Sequence, residues 1–593
     1  MLFRSGNIDI NLAAGSLTGA GGITSVNLGD ITINASRGGV APTGFISGDL
    51  LTITANDAVV VNTAVNALAI STANEGQGIT INQSRDLSID GADIATANGS
   101  ITIIASGNIT RTGEINAGTA NVTLNATRGI TGTGLITGDL LSVVANSTSS
   151  LNTAVNSLTA NLSGSGQRLD VFEADGLAIA AAGVRTNNGA IAIRGGVGDL
   201  TGSGVVSAGT ANVTFAFGGE INLAAASQIT GNVLTLTADG LIDVGTNVTA
   251  VDATITQLDA DFTLVQTKSL RIDGITTDAG NVDINITAGN ITGDGVIDAG
   301  LADVTLNASA GAINLASAGV IQINQALELT LRARDTSAVN ISAEDLVATV
   351  TNGDLVVIEE DAINAVQGGI NVSGNLTLTS GGDLGGLADV VAGNVTLDVD
   401  GDVTLNAAVG QVRAATLNVS ATGDVNVNTT VTSLIASVAG DLSVSETDSL
   451  NIGLSASDQV RVGGDVVILL PNGGNLAGPG IINAAGDVTL VLSTDGNIAL
   501  ASQAGQVRGD KLAVSGTNGS IAINTTVANL TASLQLGGIT VTGASESLAQ
   551  TILGVIAILL GAINLVGGFV VTDRMLEMFK PKKSAPAQEG GDR

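Results

Sequence analysis

Carboxylates are the residues through which this sequence could do chemistry. Asp398, Asp400 and Asp402, in DVDGD, are spaced like the opening of an EF-hand calcium loop, and Glu359, Glu360 and Asp361 form the densest acidic cluster. A calcium loop of that kind closes with a bidentate Glu at its twelfth position. Counted from Asp398 that position is Val409, and no flanking helices are readable, so the run reads as a solvated β-turn with at most weak Ca²⁺ binding at its corners. Paired carboxylates also cleave glycosidic bonds. No aromatic sugar platform or basic partner accompanies Glu359, so that cluster reads as an exposed loop. Lys268 and Lys511 stand in TKS and DKL, without the glycines of a phosphate-binding loop.

The missing residue types exclude more. The 593 residues contain no Cys and no His, which removes thiol nucleophiles, disulfides, Cys-ligated zinc, Ser-His triads and imidazole bases. Lys and Arg total 21 against 53 Asp and Glu, and the net charge of −32 argues against a nucleic-acid partner, which needs a basic footprint. Trp and Tyr are absent, and with them the usual binding anchors and stacking platforms. Lack of Cys suits an extracellular bacterial protein or a cytosolic one equally. With 44% hydrophobic residues, mostly small aliphatics, the chain can still bury a core. No catalytic, cofactor-binding or metal constellation emerges.

The elements behind this composition repeat. Related segments start near residues 30, 121, 212, 303, 394 and 487, a period of about 91, and fill residues 1–547. In NVTLNA, Val122, Leu124 and Ala126 alternate with Thr123 and Asn125, the period of a half-buried strand. The outward Thr recurs as Thr32, Thr123, Thr214, Thr305, Thr396 and Thr489, a column that suits ice or carbohydrate binding or a plain exposed strand face. Gly-Asn, Gly-Asp and Ala-Gly corners follow each short strand, and no helical period intervenes. The expected fold is all-β: a right-handed parallel β-helix of six repeats, with about 20 residues per coil and, at about 4.8 Å per coil, a rod of roughly 130 Å. A string of separate β-sandwiches is the alternative, though no linker marks their boundaries.

Residues 548–572, LAQTILGVIAILLGAINLVGGFVVT, carry no charge and are long enough to cross a bilayer as one helix. Gly561, Gly567 and Gly568 would give that helix a close-packing face, and Asn564 a polar contact within the membrane. Arg574, Lys580, Lys582 and Lys583 follow in the basic tail 573–593, which faces the cytoplasm by the positive-inside rule. Lys and Met usage shifts abruptly near Ser545, as if two genes were joined.

Two resemblances follow. The Gly-Asn/Asp-Val-Thr-Leu units resemble the β-helical stalks of filamentous-haemagglutinin-type adhesins and autotransporter passengers, over about nine-tenths of the chain. That likeness implies a surface stalk with a cell-surface or carbohydrate ligand. No signal peptide or secretion domain precedes the first repeat, so the chain is expected to start inside a longer gene. The tail is similar to the last membrane helix of the proton-translocating NAD(P) transhydrogenase alpha subunit. Asn564, Gly567, Gly568, Phe569, Val571, Thr572, Arg574, Met575, Leu576, Met578 and Phe579 carry the match. It implies a bacterial inner-membrane location and a beta-type subunit or other membrane helices as partners. NAD and NADP would be bound only by partner domains, none by this chain. The two expectations are therefore a tethered, non-catalytic stalk lying outside the cytoplasm, or a transhydrogenase membrane component with the repeats appended.

Overall fold

The computed structural model describes residues 6–90, 93–224, 228–407 and 411–543 of the 593-residue chain. The chain forms two compact units, Met1–Gly382 and Asp383–Arg593. Each is an all-β solenoid in which short strands pair in parallel with the strands of the coil above and below. Separate sandwiches are thereby excluded. The single helical turn among the described residues is the 3-10 segment Val26–Leu28.

In the first unit Val122 lies over Ile101, Ile101 over Ile79 and Ile79 over Val59, coils of 21, 22 and 20 residues. Strand Val122–Ala126 points Val122, Leu124 and Ala126 into the coil, where all three are buried. Its Thr123 and Asn125 remain half-exposed, as the alternation requires. The interior is stacked from Val, Ile, Leu and Ala, each fully buried branched side chain contributing about 1.5–3 kcal/mol. Phe215, Phe217 and Phe262 are the large rings buried inside among the described residues.

A period of about 91 residues is about four and a half coils of 20, and the half matters. Val213 stands over Ile191 and, through it, Leu169 and Ser149. Val122 stands under Leu141 and then Leu158, on the other side of the coil. The strand starting at Val304, traced back through Val282, Phe262, Ile242, Ile221 and Leu200, returns to the Val122 side. In the second unit Val395 belongs to the column Leu417, Leu434, while Val488 lies in the column Val466, Leu512. The outward threonines therefore do not form the single column expected from their spacing. Within each unit successive ones alternate between two faces, and Thr123 is stacked instead with Thr80, Thr102, Ser142 and Thr159.

Candidate functional site

The second unit carries a continuous line of aspartates along one corner. Oδ1 of Asp383 accepts the backbone N–H of Asp402 at 2.8 Å, and Asp402, Asp424, Asp441 and Asp465 each accept the N–H of the next at 2.7 Å, ending on Asp487. Lys511 Nζ closes the row on Asp487 at 3.0 Å. Glycine precedes the aspartates for a physical reason. A Cβ at Gly423, Gly440, Gly464 or Gly486 would overlap the Oδ1 that reaches past it from the coil before. At these four positions, beside bonds as short as 2.7 Å, only a residue without a side chain fits. In the first unit the same corner device runs from Asp261 to Asn281 to Asp303 to Glu328, at 2.9, 3.1 and 3.2 Å. Asp261, Asn281 and Asp303 line an acidic depression together with Asp283 and Thr305. Burial pushes the Asp283 carboxyl up, against the pull of Arg332. Within each row the corner carboxylates thus spend one oxygen on the backbone of the next coil, while the last of them, Asp487 and Glu328, take Lys511 and the Thr330 hydroxyl instead. Among the described residues no group of three or more acidic side chains is arranged to hold a metal ion.

A second polar device lies inside the coils. Among the described residues five strands end in a buried Gln or Glu where alternation calls for an apolar residue: Gln83, Glu173, Gln266, Glu359 and Glu446, none more than 5% exposed. Thr63 donates its hydroxyl to Gln83 Oε1 at 2.7 Å, Thr153 to Glu173 Oε2 at 2.8 Å, Thr246 to Gln266 Oε1 at 2.8 Å, and Thr429 to Glu446 Oε2 at 2.8 Å. The same heads also accept a backbone N–H of the preceding coil, from Val65, Val155, Val248 and Val431. Glu359 has no such hydroxyl. It accepts Ala343 N–H at 3.1 Å and Glu360 N–H at 2.9 Å. Burial holds the Glu173 and Glu446 carboxyls above their ordinary value, and raises Glu359 to about 8. Gln411 and Gln506 do the complementary job, each donating to two corner carbonyls.

These placements correct one reading of the sequence. Glu359 is not part of an exposed loop; only Glu360 and Asp361 are exposed, and the Glu359 head is taken up by backbone. Asp398 points outward, Asp400 accepts the Thr422 hydroxyl at 2.9 Å, and Asp402 belongs to the aspartate row. They are three separate surface groups, not a converging ligand set. Val409 lies outside the described residues. So do Gly561, Asn564, Gly567, Gly568, Arg574, Lys580, Lys582 and Lys583, together with the apolar stretch 548–572. Among the described residues no helix is long and apolar enough to cross a membrane. The buried Gln/Glu series is visible in the sequence as ITINQ, LDVFE, FTLVQ, LVVIE and LSVSE, strands whose last inward place is polar.

Known proteins resemble the C-terminal region. Residues 522–581 match the family model for the 4TM region of pyridine nucleotide transhydrogenase. Two curated relatives, both from Rhodospirillum rubrum and each named as the second part of NAD(P) transhydrogenase subunit alpha, are 48% identical over 48 residues. That is 8% of this chain and 34% of theirs, so the chain spans about a third of the length of the curated relatives it matches. No solved structure matches.

Proposed function

We propose that the chain is a membrane-tethered, non-catalytic stalk, with the solenoid outside the cytoplasm and the basic residues from Arg574 onward inside a bacterial inner membrane. One observation carries this reading. Solenoid coils of the second unit run on to Gly543, yet the match to a transhydrogenase membrane region begins at residue 522 and takes in the apolar stretch 548–572. A span of that length is enough to hold the protein in a bilayer. Its glycines and Asn564 serve to pack it against other membrane helices. The charged corners and small-residue faces act through reach and repetition, toward a cell-surface or carbohydrate ligand.

The test is made on membranes from cells producing the full chain. Retention after alkaline carbonate washing, protease access to the repeats from outside, and one peptide joining residues 511 and 574 by mass spectrometry support the tethered stalk. Release by carbonate, or repeat and tail peptides found only in separate proteins, rejects it. A second reading rests on the 48% identity of the tail: an alpha-type membrane component of a proton-translocating NAD(P) transhydrogenase. NAD and NADP would then be held by partner domains. Co-purification with a nucleotide-binding beta-type subunit favours that reading.

A further inference from the structure

Among the described residues no strand lies over Asn529–Gly543, the last one described, and its inward register is exposed. Leu530, Ala532, Leu534, Ile539 and Val541 lie over Leu512, Val514, Gly516, Ile521 and Ile523, in the register of inward-facing residues. The four apolar residues of that earlier coil are buried, while their counterparts on the last strand are half or fully exposed. Leu530 is 36% exposed, and Leu536, over Asn518, 67%. Natural edge strands are protected by a charge, a proline or a covering element. This strand has neither charge nor proline, and residues 512–545 are uncharged throughout.

We infer that this uncovered end rests on the lipid headgroup layer, with Leu530, Leu534 and Leu536 as its contact. The inference rests on the tether reading above, which places residue 548 at the hydrocarbon boundary. Only residues 544–547 separate Gly543 from that point, so the end of the strand lies within about 18 Å of the hydrocarbon. Interfacial elements bury their apolar groups to a depth of about 5–10 Å in this layer. Headgroups and their water satisfy the unpaired backbone of the edge, which hydrocarbon would not. An uncharged end can enter the layer where the acidic corners could not. The transhydrogenase membrane-region match covers the whole strand, which favours lipid over a second copy of the chain as the cover.

The chain has no Trp or Tyr, so one introduced Trp reports alone. The full chain carrying Leu536→Trp, and separately Ile558→Trp, is reconstituted into phosphatidylcholine vesicles with a minor share of phosphatidylglycerol, some lipids brominated near the headgroup and others at mid-chain. Docking predicts that Leu536→Trp is blue-shifted and loses most of its emission to headgroup-proximal bromines. Water-like emission without quenching overturns the inference. So does blue-shifted emission that ignores the bromines while the protein doubles in size, which assigns the end to a second copy. Ile558→Trp separates the two readings. If its emission survives mid-chain bromines, the tether itself fails; if it is quenched while Leu536→Trp is not, only the docking fails.

Discussion

Oδ1 of Asp441 accepts the backbone N–H of Asp465 at 2.7 Å across one coil, and the residue that makes room for it is Gly464. The pair explains why Gly-Asp corners recur in this chain: the glycine is the gap and the aspartate of the preceding coil is what fills it.

Gly464→Ala therefore forces Asp441 out of its bond. Overpacking of this kind costs about 1–3 kcal/mol. Removing the obstruction with Asp441→Ala should make the alanine at 464 nearly harmless, so the two changes should be strongly non-additive. Urea midpoints of the two single variants and the double variant measure this. Simple additivity would mean that the glycine serves another purpose.

The row also concentrates like charge. Asp424, Asp441 and Asp465 lie on successive coils, about 4.8 Å apart, well inside the screening distance of about 10 Å at 0.1 M salt. Asp441→Asn keeps the accepting oxygen and removes the charge. Added salt should accordingly stabilise the wild type more than this variant, as read from melting temperatures at low and high ionic strength. An equal response would show that the aspartates do not feel one another.

Glu359 gives a pH dependence of definite sign. Burial holds its carboxyl at about 8 in the folded chain against an ordinary 4.5, so the folded state keeps a proton that the unfolded state has released. Its contribution to stability is complete below about 4.5, declines as the pH rises, and levels off above about 8. Glu173, raised in the same direction, adds to that decline. Glu359→Gln should flatten the curve across this window and leave only the residual slope. Denaturant midpoints through the window decide it, and an unchanged slope would place the titration elsewhere.

The strands are legible in the sequence because alternation needs only local information: in VTLNA the inward residues are apolar and the outward ones are Thr and Asn. The corner row is hidden there although every aspartate in it is plain to see. Its bonds span 19, 22, 17, 24 and 22 residues, an irregular series that only the coiling of the chain aligns. Rotation of the repeat by half a coil is hidden for the same reason, since a 91-residue period does not say which face the next Thr occupies. For Glu359, two exposed acidic neighbours make a solvated loop the natural reading, while its place at the end of LVVIE turns it inward. The residues proposed for the membrane tether, Gly561 to Gly568, and for its basic flank, Arg574 to Lys583, lie outside the described residues and rest on the sequence and its relatives.

Arg111 supplies the last prediction. It closes strand Ile109–Arg111 pointing into the first unit, 1% exposed, with Ile89 on the coil before it and Gly132 on the coil after. One guanidinium nitrogen donates to the Gly134 carbonyl, while Nε and Nη2 have no partner. Burial draws its pKa down to about 10, a sign of how poorly the charge is accommodated. A buried charge satisfied at a single point is worse than a hydrocarbon of similar reach, and such replacements are often stabilising by about 1–4 kcal/mol. Arg111→Leu should therefore raise the denaturation midpoint, its side chain stacking on Ile89 as the neighbouring columns stack. Arg111→Lys, which keeps the charge and loses the fork, should lower it. If Leu destabilises as much as Lys, the bond to Gly134 outweighs desolvation, and the arginine is an interior brace holding the corner at residues 132–134.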